Sequence, residues 1–225
     1  MKKKLCIILA ICFATAAVLA GCGNQGQGSD PVPGGQSQGG GDEAGQQESS
    51  QPAEQEDELL SGKHHVKINM KDYGTIEVEL DADQAPITVT NFVKLAGEGF
   101  YDGLTFHRII EGFMMQGGDP NGNGSGGSDQ EIKGEFSENG VNNTLSHTRG
   151  AISMARTNIP DSASSQFFIM HQDGTFLDGQ YACFGYVTSG MEIVDEICEN
   201  AVVIDDNGTV PAKDQPVIES IEVVD

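Results

Sequence analysis

The sequence contains no tryptophan, and basic residues are scarce, since 12 Lys and Arg stand against 34 Asp and Glu among its 225 residues. The formal net charge at pH 7 is therefore −22. Nucleic acids and anionic lipid surfaces both repel a protein with this charge, so the composition argues against either as a binding partner. We interpret the charge as a solvated acidic surface, and attraction of basic or unfolded cationic segments is the alternative.

Cysteine is nearly absent from the part of the chain that can fold. Of the five cysteines, Cys6, Cys12 and Cys22 lie in or beside an apolar N-terminal segment, which leaves Cys183 and Cys198. Two cysteines do not make a disulfide framework, although an oxidising compartment would permit one bond. Cys183 lies in an apolar strand-like run and Cys198 in a helix-like one. We therefore expect two buried thiols rather than a Cys183–Cys198 bond.

The longest apolar run, from Leu5 to Ala20, is too short to span a bilayer, which takes roughly 18–20 residues. Three lysines precede it, so residues 1–21 are predicted to be a cleaved signal peptide. The sequence Leu19-Ala20-Gly21-Cys22 resembles the lipobox of bacterial lipoproteins, which implies that Cys22 carries a diacylglyceryl anchor in the bacterial cell envelope. Two acyl chains anchor a protein stably. The alternative is an ordinary secretory signal that happens to contain a cysteine.

Residues 22–62 have too few apolar side chains to build a core. After Cys22 they are mostly Gly, Gln, Ser, Pro, Asp and Glu, and Val32 is nearly the only aliphatic residue before Leu59 and Leu60. Such a segment is predicted to be a disordered tether, because it buries too little surface to offset the loss of chain entropy. Residues 63–225 remain, a length typical of one domain.

Short strands dominate the predicted elements of this domain. Alternating residues predict a hairpin over 66–70 and 75–80 and further strands over 104–110, 113–116, 151–155, 166–171, 181–187 and 216–224. Apolar residues at helical spacing predict helices over 87–96 and 191–198, and Pro86 suits the first turn of the earlier one. Many short strands with two helices predict a mainly β protein, built as a closed antiparallel barrel.

Three blocks of sequence carry the candidate chemistry. In the first, Phe106 to Asp119, Arg108 and Gln116 stand eight residues apart among apolar side chains. The others are Ser165 to Ile169 and Phe176 to Gly179. In order and separation, these blocks resemble the signature of the cyclophilin family of peptidyl-prolyl cis-trans isomerases. The resemblance covers residues 65–225 and implies a closed eight-stranded barrel with a helix capping each end, and an enzyme without metal or organic cofactor.

The resemblance also implies roles for particular residues. Arg108 matches the arginine that donates a hydrogen bond to the prolyl nitrogen, and Gln116 matches the glutamine that positions it and binds the substrate backbone. Taken alone, Arg108 would rather be paired with a surface carboxylate such as Glu111. The remaining matches are substrate-binding positions in the proline pocket or the adjoining groove: Phe113, Met114, Ala155, Arg156, Gln166, Phe168, Phe176, Leu177 and Tyr181.

The chain departs from the family pattern at three of these positions. Arg156 stands where the family often has asparagine, whose substrate contact is made through the backbone. Phe176 stands where many eukaryotic members have tryptophan, and the loss of the indole N–H implies weak inhibition by cyclosporin. Tyr181 stands where those members have histidine, and its ring is expected still to border the proline pocket.

Other polar residues are weaker candidates for a site. His64 and His65 adjoin each other but lack a converging ligand set, and His107 alternates away from Arg108, which favours a structural role. The run from Asp119 to Asn123 is loosely like a calcium-binding loop, but it lacks the closing acidic residue. We therefore expect no bound metal.

The sequence thus predicts a lipid-anchored isomerase that acts on X-Pro bonds of unfolded or partly folded exported proteins, with nothing that requires more than a monomer. One alternative is a non-catalytic module on the same fold, which holds proline-containing segments or acts as a holdase. A solute-binding lipoprotein is a second alternative, which the small domain disfavours.

Overall fold

Alternating apolar and polar residues near the start of the domain form a β-hairpin. In the computed structural model, which describes residues 58–225, strands β1 (Lys63–Met70) and β2 (Gly74–Asp81) pair antiparallel. The turn between them places Asp72 at a φ of 69°, a left-handed conformation that Asp tolerates better than most residues. The predicted signal peptide, Cys22 and the tether as far as residue 57 lie outside the described residues.

The remaining elements follow the predicted order. Helix α1 (Pro86–Gly97) begins with its proline in the first turn, and α2 (Met191–Asn200) precedes the last strand. The other strands are β3 (Phe106–Ile110), β4 (Met114–Gly117), β5 (Ala151–Met154), β6 (Phe167–Met170), β7 (Cys183–Ser189) and β8 (Ile218–Val223). Neither helix in residues 58–225 is long and apolar enough to cross a membrane. The mainly β fold with two helices is confirmed.

The prediction of a closed barrel is wrong, because the sheet is an open half-barrel. Its antiparallel strands run in the order β3-β4-β6-β5-β7-β2-β1-β8, which leaves β3 and β8 as edges. The loop before β8 occupies the outer edge of β3, since Ile109 N–H donates to Gly208 O at 2.8 Å and Val210 N–H donates to His107 O at 3.0 Å. The residues just before the two edge strands form an isolated bridge between Thr105 and Val217, flanked by hydrogen bonds from Phe106 N–H to Pro216 O and from Ile218 N–H to Leu104 O. Among the described strands this pairing does not continue along β3 and β8, so the sheet stays open.

Aromatic rings fill the concave interior of the sheet. Phe92 of α1 is fully buried, and its ring centroid lies 5.1–5.4 Å from those of Tyr101, Phe167 and Phe184. Such pairs contribute about 0.5–1.5 kcal/mol each beyond the burial of their area. Helix α1 packs against β2 and β8, and α2 packs against β2 and β4.

Both cysteines of the domain are free and buried, as the sequence predicts. Burial raises the pKa of Cys183 and that of Cys198 to about 12. A thiol with so high a pKa is protonated at neutral pH and is a poor nucleophile. The two side chains therefore act as small apolar residues.

Strands β4, β5 and β6 carry apolar side chains on both faces, because successive residues of a strand point in opposite directions. Met115 and Ile169 belong to the main core. The neighbouring residues Met114, Phe168 and Met170 form a second, smaller apolar cluster on the other face, which we name the outer apolar cluster. The outer face of these strands is therefore not simply solvated, and the predicted site residues gather around it.

Candidate active site

Arg108 and Gln116 lie opposite each other on β3 and β4. The two residues are register partners, and Nη1 of Arg108 donates to Oε1 of Gln116 at 3.2 Å. Nη1 also lies 3.9 Å from Sδ of Met114, and Nε donates to the carbonyl oxygen of Asn207 at 2.9 Å. Contacts on two edges hold the guanidinium at the border of the outer apolar cluster. Within residues 58–225, no hydrogen bond joins Arg108 to Glu111, so the surface pairing considered as an alternative does not form.

The two predicted glutamines form a chain of hydrogen bonds behind the arginine. Nε2 of Gln116 donates to Oε1 of Gln166 at 2.9 Å, and Nε2 of Gln166 donates to the carbonyl oxygen of Gly126 at 2.7 Å and of Gly124 at 3.1 Å. Because an amide group has one accepting and one donating end, this chain fixes the orientation of both side chains. The oxygen of Gln116 is thereby directed at Arg108.

The glycine-rich loop that supplies these carbonyl groups is organised by Asp119. Its carboxylate accepts hydrogen bonds from the backbone N–H groups of Asn121, Asn123 and Gly124. Burial by itself would raise the pKa of Asp119, but these three hydrogen bonds lower it below its usual value. The acidic side chain that suggested a calcium loop therefore holds the loop backbone instead. Residues 58–225 include no cluster of three or more His, Cys, Asp or Glu side chains suited to a metal.

The apolar side chains of the outer cluster lie beside the guanidinium. Met114 and Phe168 are buried in the outer cluster, and Phe113 and Leu177 pack against it while remaining partly exposed. Phe176 stacks on Phe113 with ring centroids 5.6 Å apart, yet 67% of its surface stays exposed. Phe176 and Leu177 are brought there by a short 3₁₀ helix, Thr175–Leu177, which the sequence analysis missed. Four predicted pocket residues and Phe176 thus line one surface.

A buried histidine supports Phe168 from the side. The ring of His147 stacks on that of Phe168 at 6.0 Å, and its nitrogen atoms hydrogen-bond to Oδ1 of Asp178 at 2.8 Å and to Oγ of Ser153 at 3.0 Å. Burial lowers the pKa of His147, and Asp178 only partly opposes this shift. Burial would raise the pKa of Asp178, but hydrogen bonds from Ser146 and His147 lower it. His147 was not predicted to matter, because its partners are distant in sequence.

Tyr181 and Arg156 extend the outer apolar cluster on the side of Phe168. The Tyr181 ring meets that of Phe168 edge-on at 5.9 Å, and the guanidinium carbon of Arg156 lies 4.7 Å from the centroid of Tyr181. Arg156 also donates to the carbonyl oxygen of Gln180 at 2.8 Å and 3.0 Å. Its side chain is therefore part of this extension. Ala155, whose N–H donates to Gln166 O at 2.9 Å, packs against the same cluster.

The environment of Arg108 is partly dry. Burial lowers the pKa of its guanidinium, while Tyr181 and Asp205 oppose the shift. An arginine nonetheless keeps its charge at neutral pH, because its pKa starts so high. The arrangement therefore presents a permanent positive charge, partly removed from water, at the edge of the outer apolar cluster.

The remaining histidines of the sequence analysis do not form one cluster. His64 interacts with the Ser61 carbonyl and His65 with the Asp225 carboxylate, so their rings do not converge on one point. His107 is buried, and burial lowers its pKa, with smaller opposing and reinforcing effects from Asp119 and Arg108. The structural role predicted for His107 agrees with this burial.

Two kinds of contact in the site carry no sequence motif: those made by backbone carbonyl oxygens and those between residues far apart in the chain. The carbonyl oxygens of Asn207, Gly124 and Gly126 act through the backbone, which carries no side-chain signature. Asn207 comes 99 positions after Arg108, and Asp178 comes 31 positions after His147. The only sequence signal for the first group is the density of glycine in the 117–127 loop and the Asn207-Gly208 turn.

Known proteins are similar to this chain over the domain that contains the site. The sequence model of the family described as cyclophilin type peptidyl-prolyl cis-trans isomerase matches residues 65–223. Peptidyl-prolyl cis-trans isomerase B of Bacillus subtilis is 47% identical over 134 residues, which cover 60% of this chain and 90% of that protein. The peptidyl-prolyl cis-trans isomerase of Helicobacter pylori is 45% identical over 132 residues, which cover 58% of this chain and 78% of that protein.

Solved structures of a cyclophilin type isomerase from Cryptosporidium parvum are also similar. One has a TM-score of 0.64 at 31% sequence identity and covers 73% of this chain and 99% of its own. Another, solved in the presence of the dipeptide Ala-Pro, has a TM-score of 0.63 at 32% identity and covers 72% of this chain and 99% of its own.

Proposed function

Because the chain belongs to the cyclophilin-type peptidyl-prolyl cis-trans isomerase family, we propose that Arg108 is its electrophilic catalyst and that the outer apolar cluster receives the proline ring. The observation that carries this assignment is the pairing of Arg108 with Gln116 beside the outer apolar cluster, which includes Met114 and Phe168. A charged donor and an apolar ring site stand next to each other there.

Isomerisation of an X-Pro bond breaks no covalent bond, so the task is to stabilise a twisted amide. The barrier is roughly 18–20 kcal/mol, and rotation destroys the resonance that delocalises the lone pair of the prolyl nitrogen. A donor aimed at that nitrogen binds the twisted amide better than either planar form. This difference in binding lowers the barrier. A thousandfold acceleration needs about 4 kcal/mol.

Arg108 suits this task because the protein binds only some of its N–H donors, which leaves others for a substrate. Nε is engaged by Asn207 O and Nη1 by Gln116, and the guanidinium fork carries five N–H groups in all. The two contacts orient the plane without using every donor. A charge-assisted hydrogen bond from a preorganised, partly dry guanidinium is roughly twice as strong as a neutral one.

Selectivity for proline would come from the apolar surface. Phe113, Met114, Phe168 and Leu177 offer carbon atoms to a ring that lacks an N–H, and Tyr181 and Phe176 extend the surface on either side. The backbone of the substrate would be bound by Gln116 and Gln166 and along Ala155 and Arg156. The Ala-Pro dipeptide named with the Cryptosporidium structure supports an X-Pro ligand of this kind.

We further assign the enzyme to the bacterial cell envelope, as a monomer anchored through diacylglyceryl Cys22. The lipobox-like Leu19-Ala20-Gly21-Cys22 and the core-poor stretch that follows support this assignment. On this basis the clients are exported proteins with exposed X-Pro bonds, before their folding is complete. Metabolic labelling with palmitate tests the anchor, because Cys22→Ala should abolish incorporation and release the protein from membranes.

The isomerase assignment is tested by peptide turnover with residues 58–225. The Bacillus relative is little more than the matched domain, since 134 aligned residues cover 90% of it, so we expect residues 58–225 to fold without the preceding segment. Wild type should accelerate isomerisation of Ala-Ala-Pro-Ala, measured by NMR exchange spectroscopy. Arg108→Ala should reduce kcat/KM by about a hundredfold or more, corresponding to roughly 3 kcal/mol. Lys213→Ala, at an exposed position, is the matched loss of a positive charge.

Slow exchange in both wild type and Arg108→Ala, with the peptide still bound, would contradict the isomerase assignment. It would support the non-catalytic proline-binding module instead. Loss of activity in Lys213→Ala as well would mean that net charge, rather than the position of Arg108, controls turnover.

A further inference from the structure

The segment between α2 and β8 exposes three consecutive aliphatic side chains. Val202 is 58% exposed, Val203 44% and Ile204 67%, and together we name them the aliphatic ridge. The other exposed large apolar residues of the described chain are Leu59, Ile159, Phe176 and Val224, no two of which are adjacent in sequence. Single exposed apolar residues are ordinary, whereas apolar side chains exposed next to one another are typical of interaction sites.

The aliphatic ridge lies near the proposed catalytic arginine. Ile204 N–H donates to Thr209 O at 2.9 Å, and Thr209 forms a bridge with Arg108 on its other side. Backbones joined by such a hydrogen bond or bridge lie about 4.8 Å apart, so the backbones of Ile204 and Arg108 are separated by at most roughly 10 Å. An extended peptide rises about 3.3 Å per residue, so this distance corresponds to about three residues. A client with its proline beside Arg108 can therefore reach the ridge.

The same loop is joined to the site by hydrogen bonds. Asn207 O accepts the hydrogen bond from Nε of Arg108, and the Asp205 carboxylate accepts one from Thr209 N–H at 3.0 Å. The backbone on the Arg108 side is tied to β3 through Gly208 O and Val210 N–H. A docked side chain would thus meet a surface whose position relative to Arg108 is already set, which limits the entropy lost on binding.

Charge and composition favour a client chain over the other possible occupants. The protein's own segment 23–57 offers Val32 as nearly its only aliphatic side chain, so it has little to bury on the ridge. A second copy of the chain carries the same strongly negative charge and is repelled. An unfolded client offers both apolar and basic residues, and Asp205 and Asp206 directly follow the ridge.

We propose that Val202, Val203 and Ile204 dock an apolar residue located about three positions from the proline in an unfolded client, with Asp205 and Asp206 favouring a basic residue beside it. This inference rests on the proposed function, because it extends the same site to the residues that flank X-Pro. It predicts that the enzyme prefers prolines in segments that will later be buried in the client's core.

The test compares peptides of ten residues that share a central Ala-Pro. One peptide carries Leu three positions and Lys four positions before the proline, and another carries Leu three positions and Lys four positions after it. The reference peptide carries Ser at all four of these positions. Peptide binding is measured by fluorescence anisotropy and turnover by NMR exchange. Wild type should bind one of the Leu-Lys peptides about five- to tenfold more tightly than the reference. The triple variant Val202→Ser, Val203→Ser, Ile204→Ser should lose this preference.

Controls separate docking from other effects. The triple variant should turn over Ala-Ala-Pro-Ala like wild type, and Val224→Ser should keep the peptide preference, because Val224 is equally exposed but follows β8. Loss of Ala-Ala-Pro-Ala turnover in the triple variant would overturn the proposal, since the loop would then act through Arg108 alone. Equal binding of all peptides by wild type would overturn it as well. Absence of any isomerisation by wild type would contradict the proposed function. The binding preference measured by anisotropy would still show whether the ridge is a docking surface.

Discussion

Nη1 of Arg108 and Oε1 of Gln116 lie 3.2 Å apart across the β3–β4 pair. The other end of the Gln116 amide donates to Gln166, which in turn donates to the loop carbonyls of Gly124 and Gly126. The position of the guanidinium thus depends on a loop that never touches it. An amide at position 116 serves both contacts, because one planar group accepts from Arg108 and donates to Gln166.

The first prediction concerns this amide. Gln116→Leu keeps a similar volume but removes the acceptor of Nη1, so the guanidinium loses one of its two positioning contacts. Loss of a hydrogen bond to a charged group is worth about 1.5–3 kcal/mol, so kcat/KM should fall roughly 10- to 100-fold. Isomerisation of Ala-Ala-Pro-Ala measures the effect. Gln172→Leu, which changes an exposed glutamine, should be silent, and unchanged turnover in Gln116→Leu would refute the positioning role.

The second prediction separates binding of the proline ring from catalysis. Phe113 is partly exposed and packs on the outer cluster, so Phe113→Ala removes a pocket wall without opening the main core. Planar and twisted substrates lose the same contact, so KM should rise about tenfold while kcat changes little. Leu59→Ala, at another exposed apolar residue, is the control. A drop in kcat at unchanged KM would show that Phe113 acts on the twisted state instead.

The third prediction concerns acid stability. Burial lowers the pKa of His147 and that of His107, whereas histidine in the unfolded chain titrates near pH 6.5. The unfolded state therefore binds more protons below this pH, and stability is lost as the pH falls through about 6.5. Each such proton contributes at most about 1.4 kcal/mol per pH unit. The lowered pKa values of Asp119 and Asp178 add a further loss as their carboxylates protonate, below about pH 4.

Urea unfolding at pH 7.5, 6.0 and 5.0 measures this dependence. His147→Gln should be less stable at pH 7.5 but should lose less stability on acidification, because the titrating ring is gone. Ser153→Ala removes the hydrogen bond to Nε2 and keeps the ring, so it should lower stability and retain the slope. An identical slope in wild type and His147→Gln would mean that this histidine does not titrate on unfolding.

The fourth prediction concerns inhibition by cyclosporin. Phe176 stands where many eukaryotic cyclophilins have tryptophan, and its ring is exposed while stacked on Phe113. Phe176→Trp restores an indole N–H on an accessible surface, and a single neutral hydrogen bond is worth about 0.5–1.5 kcal/mol. The inhibition constant should therefore fall by roughly 2- to 12-fold. Phe176→Leu, which adds no donor, should not tighten inhibition, and equal inhibition of all three proteins would refute the donor argument.

Local pattern was sufficient for much of the structure. The hairpin around Asp72 and the helix that begins at Pro86 follow from alternation and from a fixed proline φ, which involve only near neighbours in sequence. The pairing of Arg108 with Gln116 was within reach for the same reason, since a short turn at Gly112 makes the strands that carry them antiparallel neighbours. The apolar side chains around them were identified by resemblance, because alternation alone cannot separate pocket from core.

The failures share a different physical origin. Whether the sheet closes depends on which segment satisfies the outer edge of β3, and there the loop at Gly208 and Val210 competes with β8. The support of Phe168 by His147 depends on Asp178 and Ser153, which only the fold brings together. Such contacts are set by packing and by the need of every buried polar group for a hydrogen-bond partner. Neither effect produces a repeating pattern of residues that could be recognised in the sequence.

The sequence by itself therefore determined the chemical inventory: a mainly β domain, a permanent positive charge beside a glutamine, and an apolar set around them. Side-chain alternation and backbone restriction are local, so they act before any fold exists. Only the tertiary structure decided that the half-barrel stays open, that Asn207 O and the glycine carbonyls orient the charged group, and that the aliphatic ridge lies about three residues' reach from Arg108. These relationships join segments up to a hundred positions apart, and the free energy of packing selects them over the whole chain at once.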